Sequence, residues 1–460
     1  MYDIDFNDKS RHIHFMGIGG ISMSGLAELL LDKGFSVSGS DSKESDLTRH
    51  LVSLGATVYY GQCAENIKDN YSLVVMTAAI RDDNPELVEA RRRGIPVITR
   101  AELLGQVMTL YDIPAAVSGT HGKTTTTSMI SELLLNADTD PTLSIGGILP
   151  SIGGNFRVGG NHYFVTEACE YTNSFLSFFP KVEIILNVDA DHLDFFKDID
   201  DIRNSFGLFA ELLPDDGFLI INGEIDKIEE ITSRTKATVI TFGTDGDYDY
   251  SAADITFDEY ARPTFTLIKK GERKGTYTLG VTGIHNVCNA LSVIAFGELF
   301  GIDDSVIRSS LKGYTGTDRR FQLKGEYKGV TIIDDYAHHP TEISATLAAA
   351  HNYPHKNLWC IFQPHTYTRT KALMNEFAEA LAAADNVILA KIYPARETDD
   401  LGISSETLAD EIRKYNKNVC YISTFEEIEN FVEKNCSPGD LLITMGAGDV
   451  VNIGHDLLSK

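Results

Sequence analysis

A phosphate-binding turn between an apolar strand and a helix constrains the fold of this chain more than any other segment. Residues 118–127, SGTHGKTTTT, follow the apolar run 113–117 and lead into MISELLL, an order typical of strand, turn and helix. Glycines let the backbone approach an anion, and the first N–H groups of the helix face it. Lys123 places a cation against the outer phosphates, and Thr124 offers magnesium a hydroxyl. The segment predicts an α/β domain with an ATP site.

The predicted nucleotide loop has a short spacing. It reads Gly-x-x-Gly-Lys-Thr, two residues shorter than the common Gly-x-x-x-x-Gly-Lys-Thr loop, which favours a ligase-type site over motor proteins and GTPases. The alternative is a capped turn rich in glycine and threonine with an exposed lysine. The residues assigned to ATP in this loop are Gly119, Thr120, His121, Gly122, Lys123, Thr124 and Thr125.

Composition excludes several classes of protein. The formal net charge of −26 argues against a nucleic-acid partner, since phosphate backbones are held by clustered Lys and Arg. The six cysteines include no Cys-x-x-Cys pair, which favours reduced thiols over disulfides or zinc. No apolar run approaches 18 residues, and the acidic start lacks the features of a signal peptide. We expect a cytoplasmic protein without a membrane segment.

Three successive alternations of apolar runs with helix-like stretches organise the chain. They predict an α/β protein of three domains, with boundaries near residues 109 and 317. Residues 1–109 are expected to form a Rossmann-like domain and 318–460 a second one. Residues 110–317 are expected to form the ATP-binding domain, with a parallel sheet and a small antiparallel addition around 248–279.

Acidic residues follow two strands of the predicted central sheet, at the edge where its ligands gather. Glu170 follows HYFVTEA, and Asp191 and His192 follow VEIILNV. With Thr124, Glu170 supplies the oxygen ligands that Mg²⁺ prefers. In a continuous strand, Glu167 and Glu170 point to opposite faces, so only one is expected to bind the ion, and Glu170 is favoured. Spacing alone leaves His192 open between a metal ligand and a structural histidine.

A second glycine turn lies near the N-terminus, in HFMGIGGISMSG. A diphosphate on such a turn fits either a UDP-sugar or a nicotinamide dinucleotide, and a tight turn without a ligand is the third alternative. The match to the dinucleotide-binding fingerprint is imperfect because a serine stands where the loop usually has its third glycine. The residues concerned are Gly17, Gly19, Gly20 and Ser22 in the turn and Asp41 at the end of the next strand.

Further polar groups follow the predicted strands of the last third. Asn286 and Asn289 lie on one face of a helix start, where they either read a base edge or, for Asn286, cap the helix. IIDDYAHHPTE combines Asp335, Tyr336 and two histidines, of which the first is His338; zinc is an alternative that lacks a third strong ligand. The remaining candidates are Arg319 and Arg320 in GTDRRFQ, His365 and Arg369 in QPHTYTRT, and Asp449 in GAGD.

Taken together, these motifs resemble the Mur ligases. GTHGKTTTT, GIHNVCNA, RRF, DDYAHHPTE, FQPHTYTRT and GAGD occur in the family's order along essentially the whole chain. The resemblance implies three domains that bind a UDP-sugar, ATP and an amino acid. It also implies ATP-dependent ligation of L-alanine to the lactyl carboxylate of UDP-N-acetylmuramate through an acyl phosphate, in cytoplasmic peptidoglycan precursor synthesis, by a monomer or homodimer.

The resemblance also implies roles for single residues. Lys123 would bind the β- and γ-phosphates, Thr124 and Glu170 a first magnesium, and His192 a second. For ATP, Asn286 and Asn289 would contact adenine, Arg320 the phosphates and Asp335 the ribose. Tyr336, His338 and Arg369 would contact the alanine, and His338 is a candidate for deprotonating its amine.

Three of the motifs depart from the family's pattern, at four positions. Ser22 stands where a glycine is usual, Cys169 and Tyr171 replace an Asp and a Ser beside the retained glutamate, and Thr366 replaces an arginine. The last change leaves Arg369 with less help in holding a carboxylate. The rival hypotheses are a ligase that attaches a preformed tripeptide, glycine or serine, a nicotinamide-dependent oxidoreductase, and an ATP-sensing protein without catalysis.

Overall fold

The computed structural model describes residues 2–193, 195–395 and 397–460. Contacts divide the chain into two units. The first extends to Thr241 and includes Ala295–Ile302, and the second contains Phe242–Ile294 and Asp303–Lys460. Among the described residues, no helix has the length and hydropathy needed to span a membrane.

The first unit begins with a parallel sheet of five strands in the order β3-β2-β1-β4-β5. This is a Rossmann order, with its switch point between β1 and β4. Every adjacent pair is parallel, so the prediction for this part is confirmed. Its elements are β1 (His12–Met16), α1 (Ile21–Asp32), β2 (Ser36–Asp41), α2 (Asp46–Ser53), β3 (Thr57–Tyr60), β4 (Leu73–Met76), α3 (Pro85–Arg92), β5 (Val97–Thr99) and α4 (Arg100–Met108).

The central sheet of this unit carries the nucleotide loop. The strands lie in the order β11-β10-β6-β9-β7-β8, and only the β7–β8 hairpin is antiparallel, an addition that the sequence did not indicate. A 3₁₀ segment, Tyr171–Ser177, follows β9. The elements are β6 (Ile113–Ser118), α5 (Lys123–Asn136), β7 (Thr142–Leu149), β8 (Gly154–Arg157), β9 (Tyr163–Glu167), β10 (Val182–Ile185), α6 (Ile199–Ala210), β11 (Phe218–Asn222) and α7 (Glu229–Thr232).

Two glycines bring helices of the N-terminal sheet unusually close to the central part of the same unit. A Cβ on Gly25 of α1 would lie 2.3 Å from the ring of Phe156, and a Cβ on Gly105 of α4 would lie 1.8 Å from the carbonyl oxygen of Ser177. A larger residue at either position would force the backbones apart, and close-packed interiors do not absorb such changes. The helices that follow the glycine turn and β5 are therefore fixed against the nucleotide-binding part.

The second unit combines an antiparallel ribbon with a C-terminal sheet. Strands β13, β14 and β15 pair antiparallel, which confirms the predicted addition. The C-terminal order is β16-β17-β21-β18-β19-β20, where β16 is antiparallel to β17 and was not predicted. The elements are β12 (Thr238–Gly243, across the boundary), β13 (Tyr250–Phe257), β14 (Pro263–Lys269), β15 (Glu272–Thr278), α8 (His285–Leu299, across the boundary), α9 (Asp304–Gly313), β16 (Gln322–Tyr327), β17 (Val330–Asp335), α10 (Pro340–His351), β18 (Leu358–Phe362), α11 (Tyr367–Ala372), α12 (Met374–Leu381), β19 (Asn386–Leu389), α13 (Ser405–Ile412), β20 (Val419–Tyr421), α14 (Phe425–Asn435), β21 (Leu441–Met445) and α15 (Val451–Ser459).

The C-terminal sheet is apolar on both faces. Successive residues of β17 enter different cores: Ile333 packs with Phe362 and Phe377, whereas Ile332 packs with Ile361. This explains why its strands read as nearly continuous apolar runs instead of alternating ones. Polar residues are left for the strand ends, where the candidate side chains lie.

One carboxyl group is buried in the central core. Glu183 of β10 is fully buried in register between Ala116 and Leu219, and neither of its oxygens has a hydrogen-bond partner in the described structure. Burial raises the pKa of Glu183 well above its usual range. Burial therefore favours the protonated form of this group in the folded protein.

Glu183→Gln should make stability less dependent on pH. The folded chain keeps a proton on Glu183 that the unfolded chain releases above its ordinary pKa of 4.5, so this contribution to stability falls as the pH rises from there. The slope is about 1.4 kcal/mol per pH unit until the folded-state pKa is reached. Thermal melts near about pH 6 and about pH 9 should show a smaller difference in Tm for the variant than for the wild type. Equal differences would contradict the assignment, and Glu211→Gln, at the exposed end of α6, is the matched control.

Candidate functional site

The predicted nucleotide loop connects β6 to α5. Gly122 is the N-cap residue and has the left-handed φ of 86°, which a side chain would strain. Helix α5 begins at Lys123, so the N–H groups of its first turn have no intrahelical acceptors. Together with the helix dipole, these groups form a site for an anion. The loop has the strand, turn and helix that the sequence predicted.

Asn187, just after β10, holds the loop in shape. Its side-chain oxygen accepts from the His121 N–H at 2.8 Å, its amide donates to the His121 carbonyl at 3.0 Å, and its own carbonyl accepts from the Thr120 N–H. The Thr120 hydroxyl also accepts from the Asp189 N–H at 2.9 Å. A side chain that satisfies both backbone polar groups of one residue fixes the orientation of the two peptide units that flank it. Asn187 was not among the predicted site residues, although its place directly after an apolar strand could have indicated it.

Lys123 pairs with Glu170. The ammonium lies 3.1 Å from the Glu170 carboxylate and also donates to the carbonyls of Gly119 and Thr120. Burial is the largest single influence and would lower the pKa of Lys123, but the charge and hydrogen bond of Glu170, together with Cys169 and Glu167, outweigh it, so the pKa is raised. Lys123 is therefore a permanent cation at the helix start.

Glu167 and Glu170 both reach the start of α5. The Thr124 hydroxyl donates to Glu167 at 3.1 Å, and the Gly146 N–H donates to the other oxygen of Glu167. The alternation argument against a shared site does not hold, because β9 ends at Glu167 and Glu170 has helical backbone angles, φ −70° and ψ −25°. Two carboxylates and a hydroxyl thus converge on one helix end.

The donor set at this helix end fits a magnesium ion. One oxygen of Glu170 is buried without a hydrogen-bond partner in the described structure, and the residue is 2% exposed. An orphaned carboxylate oxygen beside a hydroxyl suits a hard cation. Across the described residues, no cluster of three His, Cys, Asp or Glu side chains is arranged to hold a metal by itself. Mg²⁺ typically takes only one or two protein carboxylates, with water and phosphate completing its shell.

His192 lies beside this group on the loop after β10. It has a left-handed φ of 55° and packs on Tyr171 with ring centroids 4.5 Å apart. Its ring nitrogen Nε2 is 3.8 Å from the Asp191 carboxylate. Tyr171, one of the departures from the family motif, therefore supports the His192 ring and directly follows Glu170 in the chain.

The N-terminal glycine turn is closed by Asp41. The Gly19 N–H donates to Asp41 at 2.8 Å, and the Gly17 N–H donates to the Ser40 carbonyl. Gly20 is the N-cap of α1 and provides no side-chain cap, so the first turn of α1 is open to an anion. Ser22 in that turn accepts a hydrogen bond from Arg100. One oxygen of the Asp41 carboxylate is thus already used within the turn.

In the second unit, Asn286 and Asn289 form a buried amide pair. Asn289 donates to the Asn286 oxygen at 2.9 Å, and Asn286 donates to the Thr282 carbonyl at 2.7 Å. Asn286 is the second residue of α8, and these hydrogen bonds join its side chain to the preceding turn and to Asn289. Simple N-capping, where the side chain accepts a backbone N–H, does not describe these contacts.

Asp335 lies at the end of β17. Its oxygens accept from the N–H groups of Ala337 and Phe321, both at 2.7 Å. Burial raises the pKa of Asp335 to about 6, although the Arg320 charge and these two N–H groups act to lower it. Tyr336 follows, with the guanidinium groups of Arg319 and Arg320 5.0 and 5.2 Å from its ring centroid.

Arg319 differs from its neighbour in role. It donates to Asp334 and to the carbonyls of Gly446 and Gly448, so it ties the RRF segment to the loop after β21. Arg320, in contrast, packs its guanidinium against the Tyr336 ring, and its charge acts to lower the pKa of Asp335. The structure therefore distinguishes a structural arginine from one available to a ligand, which the sequence did not.

His338 lies on the same loop before α10. Its ring nitrogen Nδ1 is 3.0 Å from the Tyr336 carbonyl, and Glu342 is 3.4 Å away. If Nδ1–H donates to that carbonyl, Nε2 of the neutral ring is the basic nitrogen. His339 is the N-cap of α10 instead.

The segment QPHTYTRT places Arg369 in helix α11. Thr366 is the N-cap of this helix and accepts from the Arg369 N–H at 3.4 Å. A serine- or threonine-type cap needs the short hydroxyl, so the departure at Thr366 has a local structural use. The Glu397 carboxylate also accepts from the N–H groups of Tyr367 and Thr368.

Three family models match consecutive parts of the chain. They are described as "Mur ligase family, catalytic domain" at residues 12–112, "Mur ligase middle domain" at 117–297, and "Mur ligase, glutamate ligase domain" at 319–448.

Relatives match over the whole length. Two are named UDP-N-acetylmuramate--L-alanine ligase: one from Lachnospira eligens is 60% identical over 459 residues, and one from Agathobacter rectalis is 58% identical over 460. In both, 100% of each chain is covered. The crystal structure of the UDP-N-acetylmuramate-alanine ligase MurC from Thermotoga maritima has a TM-score of 0.81 at 30% identity, covering 97% of this chain and 98% of that one. This likeness confirms the predicted three-domain α/β class.

Asn187→Leu should weaken nucleotide binding. The leucine cannot orient the His121 peptide, so the loop loses its shape while β10 keeps its packing. We expect an affinity for an ATP analogue lower by about 10-fold, measured by a binding titration. Asn204→Leu, an exposed amide on α6 that contacts Arg234, is the control and should bind normally. Normal binding by Asn187→Leu would show that the loop holds its shape without this side chain.

Proposed function

Because the chain belongs to the Mur ligase family, we propose that it joins L-alanine to the lactyl carboxylate of UDP-N-acetylmuramate, with ATP converted to ADP and phosphate, in peptidoglycan precursor synthesis. The observation that carries the proposal is the phosphate-binding loop, in which Lys123 is paired with Glu170 at the start of α5. The full-length relatives named UDP-N-acetylmuramate--L-alanine ligase support the choice of substrates.

The chemistry requires an activated acid. A carboxylate is a poor electrophile, and phosphorylation turns one of its oxygens into a leaving group. In the proposed reaction, the lactyl carboxylate attacks the γ-phosphate of ATP in line, and an acyl phosphate and ADP result. The neutral amine of alanine then attacks the acyl carbon, and a tetrahedral species expels phosphate to leave the amide.

The loop residues provide charge and orientation for the first step. Gly119, Thr120, His121, Gly122 and Thr125 contribute backbone near the phosphates, and Lys123 binds the β- and γ-phosphates. In the structure, Lys123 and Glu170 neutralise each other. On binding ATP, Lys123 exchanges the carboxylate for phosphate oxygens.

Magnesium is part of the proposal. Thr124 and Glu170 would hold the ion, with Glu167 close enough to assist through its contact with Thr124, and His192 would contact a second ion. The ion offsets negative charge on the transferring phosphoryl group. The exchange of Lys123 to phosphate leaves Glu170 able to bind this cation.

The remaining residues are assigned by the family resemblance and their places in the structure. Gly17, Gly19, Gly20 and Ser22 would hold the UDP diphosphate, and Asp41 would act by closing the turn. In the second unit, the assigned groups are Asn286 and Asn289 for adenine, Arg320 for phosphates, Asp335 for ribose, Tyr336 and Arg369 for alanine, and His338 as the base that accepts the amine proton.

The domain and cellular assignments complete the proposal. We propose domains at 1–109, 110–317 and 318–460, which the three family models support because each model lies largely within one of them. The six cysteines form no disulfide, in agreement with a cytoplasmic location. The working form is a monomer or homodimer.

ADP release in the presence of UDP-N-acetylmuramate and single amino acids tests the function. Release should require both the UDP-sugar and L-alanine, and glycine, serine or a preformed tripeptide should be poorer acceptors. Lys123→Met should lower the rate by about 100-fold or more, because it removes the cation at the start of α5 that would bind the β- and γ-phosphates. Turnover at the wild-type rate in this variant, or NADH binding without affinity for the UDP-sugar, would contradict the proposal.

Glu170→Gln should raise the Mg²⁺ concentration needed for half-maximal activity. The amide keeps the size of the side chain but removes the charge that attracts the ion, so we expect a shift of about 10-fold and a lower kcat. Glu167→Gln is the matched variant, since Glu167 ends β9 three residues before Glu170 and contacts Thr124. A larger Mg²⁺ shift in Glu167→Gln than in Glu170→Gln would reassign the ligand.

A further inference from the structure

Arg100 is a partly buried cation without an acidic partner. It is the first residue of α4, directly after β5, at the carboxyl edge of the N-terminal sheet. Its Nη1 donates to the Ser22 hydroxyl at 2.9 Å, and no carboxylate pairs with it among the residues that the structure describes. By contrast, buried Arg203 is surrounded by Asp200, Asp226 and Glu230. Desolvated charges are normally paired, so an unpaired one indicates a missing anion.

Arg100 lies between the two groups of first-unit residues that are assigned to anions, the glycine turn and the phosphate-binding loop. On one side, Ser22 belongs to the open first turn of α1, where the glycine turn is assigned to a diphosphate. On the other side, Cys169 is near enough to influence Arg100 electrostatically, and it directly precedes Glu170. Arg100 is thus next to the segment that pairs with Lys123.

Local structure holds Arg100 in this place. The Thr99 side chain accepts from the Glu102 N–H, and Glu102 accepts from the Thr99 N–H, so a capping box fixes the turn into α4. One turn further along, Gly105 packs α4 onto the Ser177 carbonyl. A preorganised guanidinium loses little entropy on binding and presents a planar fork for an oxyanion.

We infer that Arg100 binds an oxyanion of the UDP-sugar, at the point where the substrate passes from the glycine turn to the phosphate-binding loop. This inference rests on the proposed function. The substrate offers two groups of this chemistry, its diphosphate and its lactyl carboxylate. Either one would complete the hydrogen bonds that Ser22 leaves unused on the guanidinium.

Binding measurements with two UDP-sugars test the inference. UDP-N-acetylglucosamine shares the diphosphate but has no lactyl carboxylate. Arg100→Gln should bind UDP-N-acetylmuramate about 10- to 100-fold more weakly than the wild type, and Arg100→Lys should be intermediate because it keeps the charge but not the fork. Arg93→Gln, which breaks only the pairs with Asp69 and Glu89, is the control and should bind both ligands normally.

The pattern of losses distinguishes the outcomes. A larger loss for UDP-N-acetylmuramate than for UDP-N-acetylglucosamine supports the inference with the carboxylate as the bound group. Equal losses of affinity for the two UDP-sugars, at an unchanged Tm, support the inference with the diphosphate as the bound group. Normal affinity for both ligands overturns the inference. A loss of affinity that parallels a fall in Tm in both Arg100→Gln and Arg100→Lys also overturns it, since Arg100 would then act only through its contact with Ser22. If the wild type itself does not bind UDP-N-acetylmuramate, the proposed function fails instead.

Discussion

The pairing of the Lys123 ammonium with the Glu170 carboxylate is the interaction on which the nucleotide site depends. Both groups are largely removed from water: the Lys123 side chain is 16% exposed and that of Glu170 is 2% exposed. A charge in such surroundings needs a partner, and removing either member would leave the other uncompensated. The pair therefore joins the end of β9 to the start of α5 and brings neighbouring Cys169 and Tyr171 to the same edge. Because His192 packs on Tyr171, its position follows from the same contact.

The chain order of motifs predicted the strands and turns well but not the contacts between turns. The loop at 119–122 and the strands around it were visible as an apolar run, two glycines and a helix start. The roles of Asn187 and Glu167 were not, because each depends on which strand lies beside β6 in the sheet. With β10 on one side and β9 on the other, the turns after those strands meet the loop. Sheet order is a tertiary property that one sequence does not reveal.

Backbone geometry also determines which side chains reach the site, and the spacing of residues in the sequence did not predict it. The alternation of side chains in a strand predicted that Glu167 and Glu170 point to opposite faces. However, the strand ends at Glu167, and the helical backbone of Glu170 lets its side chain reach the nucleotide loop. Similarly, Asp41 was predicted only as a UDP-sugar residue at a strand end, and the structure shows that its carboxylate accepts from the Gly19 N–H and so closes the glycine turn. Edge strand β16 was missed because its sequence, QLKGEY, is polar, as expected for a strand with only one neighbour.

The overall charge of the protein makes local cations decisive. A chain of net charge −26 repels anions at long range, yet the proposed substrates are nucleotides. Salt screens that repulsion beyond about 8 Å at physiological ionic strength, so binding is governed by groups within that distance. The first unit meets this condition with the open helix starts of α1 and α5, together with Lys123 and Arg100. Close packing at Gly25 and Gly105 keeps the α1 and α4 helix starts fixed against the central part of that unit. Two anion sites in one packed unit suit the proposed reaction, in which the lactyl carboxylate of one substrate attacks the γ-phosphate of the other. Because both sites are held in place, bringing the two groups together loses little further entropy.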